Sequence, residues 1–555
     1  MSGKPAAREQ TVSFRVTSPI LTDATTLSGT AVLVLQVAAV LIVLAVLPYQ
    51  LFELDRFTVV KELVLHLAAL TTALLCLAFA RRLTVFMVDA PLIAFLALSL
   101  LSTLLADNRW LGFRALGVSL SGAVLFWCGR TLARAGRSQA LLVGLAVAVV
   151  LGSLTALAQA YGLITTSFAS LSRAPGGTFG NRNFMAHLVT IGLPVLLLVS
   201  LEARSRAGFA LGSMGVMLAA AALILSRSRA AWVGAGVCGA FLAVEGLWVG
   251  RLWADERLRK RVLRLTTAAA AGLVLSLILP NRLSWRSASP YLDSLTGVAN
   301  YREGSGRGRM IQYRNTLAMA LRHPVLGVGP GNWPVAYPRF MSPNDPSFHL
   351  RDIIPTNPWP SSDWMAMLGE RGFLAPILLI LVGGSLALGA WARVRRGPRE
   401  SPALADLAIV ATLIAIGTVG LFDAVLLLPV NTLFGWVIVG TLASSARPIR
   451  EIRLTRDSRR YLILAAAALG ALFLWRSSAQ VVAMSLFSRG ERTAMERASR
   501  VDPGSYRIHM LLAQSWRASG RCDRARPHAE AAEALFPNYP APRQVLRACG
   551  VRKPK

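Results

Sequence analysis

Long apolar runs separated by short polar segments make up the chain between residues 29 and 486. A helix needs about 20 apolar residues to cross the roughly 30 Å hydrocarbon core of a bilayer. By this criterion the pattern predicts an all-α polytopic membrane protein with about thirteen transmembrane helices. The predicted spans lie near residues 29–48, 60–80, 88–105, 113–133, 139–161, 183–201, 207–226, 229–249, 262–281, 373–392, 404–426, 428–446 and 460–486.

Arginine-rich loops alternate with arginine-poor loops along this series. Because Lys and Arg concentrate on the cytoplasmic side of a membrane protein, the alternation predicts a cytoplasmic tail at 1–28 and a transmembrane domain at 29–486. The long polar loop 282–372 and the C-terminal segment 487–555 then both lie on the outer side. The basic loops contain Arg81 and Arg82, Arg130, Arg134 and Arg137, Arg204 and Arg206, Arg251 to Arg264, Arg393 to Arg399, and Arg447 to Arg460.

The composition agrees with a membrane location and narrows the partners. Hydrophobic residues make up 54% of the chain and charged residues only 16%, which is too apolar for an ordinary soluble enzyme. The net charge of +31 is compatible with either nucleic acid or an anionic membrane as partner. Since the arginines lie between apolar runs instead of forming a basic face on a polar domain, we expect membrane lipids and no nucleic acid as partner.

The C-terminal segment 487–555 alternates Arg, Glu and Ala with a helical apolar period. It is similar to tetratricopeptide repeats, because Pro503 and Pro537 lie 34 residues apart, the period of that repeat, and Gly520 separates two helical stretches. Such units need about three repeats to be stable alone, so we expect the segment to pack on the membrane domain or on a protein partner. A plain helical tail is the alternative.

The cysteines give no sign of a metal site. Cys76, Cys128 and Cys238 lie within apolar runs and are expected to pack as small hydrophobic residues. Cys522 and Cys549 lie in the C-terminal segment, where a disulfide is permissible if that segment faces an oxidising compartment. No Cys or His spacing typical of a metal site occurs, and we expect neither a metal nor a cofactor.

Two polar motifs border predicted spans on the outer side. The first, GTFGNRN at 177–183, opens the sixth span with glycine and asparagine, which favour a tight turn, and a helix N-terminus favours anions. The second is SRAAWVG at 228–234, which together with Arg227 forms a short turn on the side where arginines are disfavoured. Guanidinium groups at the bilayer surface suit a lipid diphosphate, although snorkelling to the headgroups also explains the pair.

A third motif lies in the long loop. It runs from Gly308 to Trp333, where a predicted amphipathic helix precedes the glycine-rich turn HPVLGVGPGNW. The turn lacks both a Lys-Ser/Thr ending and a preceding strand, so we reject nucleotide binding.

The three motifs, in this order, resemble the O-antigen ligases and polymerases, a family of bacterial envelope proteins that includes protein O-oligosaccharyltransferases. The resemblance covers roughly residues 60–445. It implies a multi-pass protein of the bacterial inner membrane, with the long loop and the C-terminus in the periplasm. The implied reaction is an inverting glycosyl transfer from an undecaprenyl-diphosphate-linked oligosaccharide to an acceptor, which is lipid A core, another glycan or a protein, without an essential metal.

The resemblance also implies roles for individual residues. Arg229 and Arg309 bind and neutralise the diphosphate leaving group, a role that suits preorganised cations beside developing negative charge. The residues expected to complete the substrate pocket are Arg227, Asn181, Arg182 and Asn183.

The sequence departs from the family where the base that activates the acceptor is expected. Family members have a His-Asn pair shortly before a helix that ends in Glu-x-Gly. Here the Glu370 to Gly372 ending is present, but Ser361 and Ser362 occupy the His and Asn positions. We predict Asp363 as the substitute base, since a carboxylate with a raised pKa can take the acceptor proton; helix N-capping is its local alternative. Weaker candidates are His323 and His349.

Other functions stay open on the sequence alone. A polymerase would use a second lipid-linked repeat unit as the acceptor, and a non-catalytic relative would bind lipid-linked glycan or scaffold an envelope complex. A flippase or transporter is disfavoured, because few ionisable residues lie in the central parts of the predicted spans.

Overall fold

A computed structural model describes residues 19–164, 174–248, 255–285, 287–298, 300–343, 345–349, 352–396 and 403–550. The first eighteen residues of the predicted cytoplasmic tail and the last five residues of the chain lie outside this part. Twenty-one α-helices occur within the described residues. They are α1 (Pro19–Leu44), α2 (Asp55–Phe79), α3 (Asp89–Leu104), α4 (Arg109–Arg134), α5 (Ser138–Ala160), α6 (Arg182–Leu201), α7 (Arg206–Ser226), α8 (Arg229–Trp248), α9 (Glu256–Ile278), α10 (Pro290–Thr296), α11 (Gly304–Arg322), α12 (Trp333–Ala336), α13 (Asp363–Arg371), α14 (Leu374–Arg396), α15 (Leu404–Gly420), α16 (Pro429–Leu442), α17 (Arg456–Phe487), α18 (Arg492–Val501), α19 (Tyr506–Ala518), α20 (Cys522–Leu535) and α21 (Pro540–Ala548).

The predicted all-α polytopic membrane fold is confirmed. Each predicted span overlaps one helix, namely α1 to α9 and α14 to α17. Among the described residues, nine helices are long and apolar enough to cross a membrane: α1, α2, α4 to α7, α9, α14 and α17. The apolar stretch of α6 is 78% buried within the protein and that of α9 only 17%. Helix α6 is therefore central in the bundle, whereas α9 is peripheral.

Helices α15 and α16 are shorter than the sequence predicts. The apolar pattern predicts spans to residue 426 and from residue 428, but α15 ends at Gly420 and α16 begins at Pro429. At 1.5 Å per residue the two helices are about 26 and about 21 Å long, short of the roughly 30 Å hydrocarbon core. The turn 421–428 that joins them is as apolar as a span, so the sequence pattern does not distinguish it from helix. This turn packs inside the bundle.

A two-stranded antiparallel ribbon closes the end of the bundle opposite the long loop. Strands β1 (Arg82–Val85) and β2 (Arg450–Arg453) pair between the α2–α3 and α16–α17 connections. Arg130 of α4 supports the ribbon, since it donates two hydrogen bonds of 2.9 Å to Asp89 and one of 3.1 Å to the Thr84 carbonyl. The sequence pattern did not predict this pair, which consists of two short, mainly polar segments far apart in the chain.

The C-terminal helices α18 to α21 pack on the membrane domain, as one of the two sequence-based alternatives predicted. They share a buried cluster with Phe52, Val59 and Val335. Asn538 Nδ2 donates to the Val335 carbonyl at 2.7 Å, and Asn108 Nδ2 donates to the Leu535 carbonyl at 3.1 Å. The segment therefore lies on the same side of the bundle as the long loop 282–372.

A disulfide joins Cys522 to Cys549, with 5.5 Å between their Cα atoms. It ties the first residue of α20 to the end of α21. The similarity of this segment to tetratricopeptide repeats stays a prediction.

Candidate functional site

The GTFGNRN motif forms a tight turn at the start of α6. Gly177 and Gly180 have φ values of 52° and 67°, a left-handed backbone that favours glycine. A Cβ atom on Gly180 would also lie 2.4 Å from the ring of Phe57. Asn181 caps α6, because its side chain accepts a hydrogen bond from the Asn183 N–H at 3.0 Å. The turn therefore fixes where Arg182 and Asn183 begin the helix.

The turn between α7 and α8 holds the two arginines of the second motif. Arg227 follows the last residue of α7 and has a φ of 52°, a left-handed conformation that is uncommon for residues other than glycine. Its Nε donates to Ser294 Oγ at 2.8 Å. Arg229 donates to the Gly297 carbonyl and to Ser305 Oγ. Both arginines thus reach from the transmembrane helices to the start of the long loop.

Trp285 brings Arg182 and Arg227 together. The guanidinium carbon of Arg182 lies 5.1 Å from the centre of the Trp285 ring, and that of Arg227 lies 4.5 Å from it. Each distance is within the range of a cation–π interaction. The aromatic ring therefore stabilises two cations in one place without neutralising them.

Arg309 approaches the same region from helix α11 of the loop. Its Nε is buried and has no hydrogen-bond partner among the described residues. One helical turn later, the Tyr313 hydroxyl lies 2.6 Å from the Leu421 carbonyl oxygen and 2.7 Å from the Ser361 carbonyl oxygen. Burial raises the pKa of Tyr313 to about 12, so the hydroxyl stays protonated and can donate. Tyr313 therefore fixes α11, and with it Arg309, against the end of α15.

The four arginines form one cationic cluster. Arg182 is within electrostatic reach of both Arg227 and Arg229, and Arg229 is within that of Arg309. All four side chains are half-buried. No ion pair joins any of them to a carboxylate within the part of the chain that the structure describes. Asp293 acts electrostatically on Arg227 and compensates part of its charge. The arginines still repel one another, and an anion bound between them would relieve that repulsion.

A carboxylate that the sequence analysis did not select lies beside this arginine cluster. Asp423, in the turn between α15 and α16, accepts a hydrogen bond of 3.1 Å from Asn183 Nδ2. Its Oδ2 also lies 3.8 Å from Nε2 of the fully buried His187. Asp423 and Arg309 both act electrostatically on Tyr313. Asn183 and His187, the two residues that approach Asp423, lie four residues apart on one face of α6. This spacing is the sequence signal that indicates a shared polar contact.

The predicted base, Asp363, lies behind this region and holds the turn 421–428. It is 3% exposed. Its carboxylate accepts hydrogen bonds from the Val425 N–H at 2.9 Å and from the Leu426 N–H at 3.0 Å. Burial raises the pKa of this carboxyl to about 7, and the backbone hydrogen bonds oppose that rise. The N-cap of α13 is Ser362, which accepts from the Met365 N–H at 3.4 Å, so the alternative N-cap role of Asp363 is wrong.

Glu370 and Arg371 form a buried ion pair at the end of α13. The distance from Arg371 Nη1 to Glu370 Oε2 is 3.2 Å, and neither residue is more than 1% exposed. The glycine-rich turn of the third motif packs directly on them: a Cβ atom on Gly327, whose φ is 63°, would lie 2.2 Å from the Glu370 backbone. This turn is packed against protein and presents no open cradle for a phosphate.

The two weaker histidine candidates lie apart from the cluster on the protein surface. His323 ends α11 and His349 lies in the loop that follows, and both are exposed. Within the described ranges, no group of three or more His, Cys, Asp or Glu residues could hold a metal ion.

Comparison with known proteins gives one family. The family model described as O-antigen ligase matches residues 214–380, and no curated protein matches the chain. The matched segment includes Arg227, Arg229, Arg309 and Asp363, but neither the GTFGNRN turn nor Asp423. Residues 214–380 are therefore similar to the O-antigen ligase family, and this match supports the placement of the chain in the O-antigen ligase superfamily.

Proposed function

We propose that the chain is a glycosyltransferase of the bacterial inner membrane that moves glycan from an undecaprenyl-diphosphate carrier to an acceptor hydroxyl on lipid A core, another glycan or a protein. The observation that carries the proposal is the cluster of Arg182, Arg227, Arg229 and Arg309, none of which forms an ion pair with a carboxylate among the described residues. A lipid-linked diphosphate carries two negative charges and gains more as it departs, and planar guanidinium groups bind its oxygens in pairs.

The proposed reaction breaks the bond between the sugar anomeric carbon and the diphosphate oxygen. The acceptor oxygen attacks from the opposite face, which inverts the anomeric configuration, and its proton passes to a base. Negative charge develops on the departing diphosphate, where Arg229 and Arg309 would stabilise it. Asn181, Asn183 and the two remaining arginines would line the pocket, and no step needs a metal or a cofactor.

Two carboxylates compete for the role of base. Asp363 is the residue that the sequence predicts, but both of its oxygens accept backbone hydrogen bonds and it is only 3% exposed. Asp423 is 9% exposed and lies on the side of the turn that faces Asn183. We therefore propose Asp423 as the base and Asp363 as the residue that positions it by holding the turn 421–428.

The side of the membrane is part of the proposal. The long loop and the C-terminal helices lie at the same end of the bundle as the arginine cluster. A disulfide between Cys522 and Cys549 supports an oxidising compartment for that end, and the arginine-rich loops support a cytoplasmic location for the other end. For a bacterial envelope protein the oxidising side is the periplasm.

The experiment is a glycan-transfer assay in cells that lack their own ligase and supply a lipid-linked repeat unit. We expect the native chain to transfer glycan, and Arg309→Ala to lose roughly 100-fold or more of that activity, as when a preorganised donor to a developing anion is removed. Asp423→Asn is expected to lose about 100-fold and Asp363→Asn much less. Arg314→Ala, an exposed arginine on the same helix, is the matched control.

The alternatives give different outcomes in this assay. Chains of repeat units that lengthen on the lipid carrier would indicate a polymerase. A native chain that binds the donor without transferring it to lipid A core, glycan or protein acceptors would contradict the catalytic proposal and favour a binding or scaffolding relative.

A further inference from the structure

We propose that His187 of α6 is a positioning residue that acts on the base Asp423 through a hydrogen bond, an inference that rests on the proposed function. His187 is fully buried, and neither of its ring nitrogens forms a hydrogen bond with a described residue. Burying a polar group without a hydrogen bond costs folding free energy, and an apolar side chain would fill the same space without that cost. The buried imidazole is therefore a candidate for a role in the reaction.

The imidazole faces the Asp423 carboxylate. His187 Nε2 lies 3.8 Å from Asp423 Oδ2, which is longer than a hydrogen bond, and the two groups interact electrostatically. Hydrogen bonds of catalytic groups tighten when a substrate binds. In the neutral imidazole one nitrogen carries a proton. A proton on Nε2 makes this nitrogen a donor to Asp423 once the gap closes by about 1 Å.

The other contacts of Asp423 show which of its oxygens is left for the acceptor. Oδ2 already accepts a hydrogen bond of 3.1 Å from Asn183 Nδ2, and Oδ1 accepts one of 2.9 Å from the Ala424 N–H. Each carboxylate oxygen has about two lone-pair positions. Asn183 and His187 together fill those of Oδ2, so Oδ1 keeps one position for the acceptor proton.

The pair of His187 and Asp423 borders the arginine cluster. Arg309 acts electrostatically on His187, and Arg309 and Asp423 both act on Tyr313. Arg182, another member of the cluster, is the first residue of the helix that carries His187. The carboxylate that His187 positions therefore lies next to the groups proposed to hold the diphosphate.

His187 acts through Asp423 and not on the substrate, because a fully buried ring cannot contact an acceptor. In the transfer step the acceptor oxygen bonds to the anomeric carbon, and the electron pair of the old carbon–oxygen bond leaves with the diphosphate. The acceptor proton moves to Oδ1 of Asp423. His187 keeps its own proton throughout, and its hydrogen bond orients the carboxylate and stabilises the charged form.

The test uses membranes from the glycan-transfer cells of the proposed function, which contain the full-length chain. His187→Leu removes the donor and fills the space, and we expect the transfer rate to fall about tenfold or more, as for loss of a hydrogen bond to a charged group. His187→Gln keeps an N–H donor at a similar reach and should recover most of the rate. If His187→Leu does not insert, His187→Asn takes its place, since its shorter amide cannot reach Asp423.

A second buried histidine of a transmembrane helix provides the matched control. His66 on α2 is 3% exposed, and its Nδ1 forms a hydrogen bond of 2.8 Å with Ser121 Oγ instead of contacting a site residue. His66→Leu should therefore transfer glycan at the native rate.

Two readouts separate positioning of the base from packing. In the Asp423→Asn background, His187→Leu should cause no further loss of rate, because a residue that acts through Asp423 has nothing left to act on. In His187→Leu the acid side of the pH–activity profile should move to higher pH by about one unit, since a carboxylate without this donor is protonated more easily. Arg309 and Tyr313 of α11 and Asp363 of α13 also act on this region and are unchanged in the variant.

The outcomes distinguish failure of this inference from failure of the proposed function. A loss in His187→Leu that is equally large in the Asp423→Asn background, or that His66→Leu matches, would show that His187 only packs. An unchanged rate and pH profile in His187→Leu, or a native rate in Asp423→Asn, also overturns the inference. In all these cases the native chain still transfers glycan and the proposed function stands. If the native chain transfers no glycan, the proposed function fails and this inference fails with it.

Discussion

Partly or fully buried arginines occur both on α13 and in the four-arginine cluster. Only the arginine on α13 forms an ion pair with a carboxylate of the protein. Arg371 on α13 is fully buried, pairs with Glu370 at 3.2 Å and donates to Ser99 Oγ at 3.1 Å and Ser119 Oγ at 3.3 Å. Arg309, in contrast, has a buried Nε without a partner among the described residues. An arginine whose counter-charge is supplied by the protein stabilises the fold, and arginines without one are available to a ligand. The contrast leads to the central claim that the four-arginine cluster binds an anion.

The largest expected effect is on stability, at the paired arginine. Arg371→Met leaves Glu370 buried without its partner, and we expect a loss of about 3–5 kcal/mol in the free energy of unfolding. Arg309→Met removes a charge that forms no ion pair among the described residues, and we expect a change below about 0.5 kcal/mol. Chemical denaturation in detergent micelles measures both. The double variant Glu370→Gln/Arg371→Met should recover part of the loss, and equal destabilisation by the two single variants would contradict the contrast.

The next effect concerns the carboxylate that holds the turn 421–428. Asp363→Ala leaves the N–H groups of Val425 and Leu426 buried without acceptors, and we expect a loss of about 2 kcal/mol in unfolding free energy. Asp363→Asn keeps one acceptor oxygen and should lose less unfolding free energy than Asp363→Ala. Both variants are compared by thermal unfolding in the same detergent. A role as base only, without anchoring, predicts instead that both variants are as stable as the native chain.

A smaller effect is expected from keeping the charge of the arginine cluster while changing its geometry. Arg229→Lys and Arg309→Lys retain a cation but lose the planar fork that binds two oxygens, so transfer or donor binding should fall about tenfold. The transfer activity of each lysine variant should lie between that of the native chain and that of the corresponding alanine variant. Lysine variants as inactive as the alanine variants would favour a strict geometric requirement, and lysine variants as active as the native chain would show that net charge alone is sufficient.

A pH dependence of stability is also expected, at the buried carboxyl of Asp363. Burial raises the pKa of Asp363 from 3.8 to about 7, so the folded chain binds this proton more tightly than the unfolded chain does. The contribution is complete below about pH 4 and is lost as the pH rises through about 7. Between pH 5 and pH 8 the native chain should therefore lose unfolding free energy relative to Asp363→Asn. A difference between the two proteins that does not change with pH would contradict the assignment.

The sequence predicted the helices well because spans are long and uniformly apolar. It failed where a turn is also apolar: residues 421 to 428 continue the hydrophobic run, and only Gly420 and Pro429 mark the ends of α15 and α16. The ribbon of β1 and β2 was missed for the opposite reason, since four-residue polar strands carry almost no periodic signal.

The candidate site was predictable only as separate motifs. The sequence predicted Arg229 and Arg309 through a family resemblance, but it could not show that Trp285 faces two arginines or that Asp423 contacts Asn183, 240 residues earlier. Such contacts depend on helix packing, which local pattern does not encode. The sequence predicted Asp363 as the base, but the packing directs that side chain at the backbone of the turn 421–428.

The central claim is tested most directly by the affinity of the purified chain for two lipids that differ only in the head, undecaprenyl diphosphate and undecaprenol. If the arginine cluster is an anion site, the native chain should bind the diphosphate at least about 100-fold more tightly, and Arg229→Ala/Arg309→Ala should remove most of that preference without unfolding. Equal affinities for the two lipids in the native chain, or a preference that the double variant retains, would contradict the account.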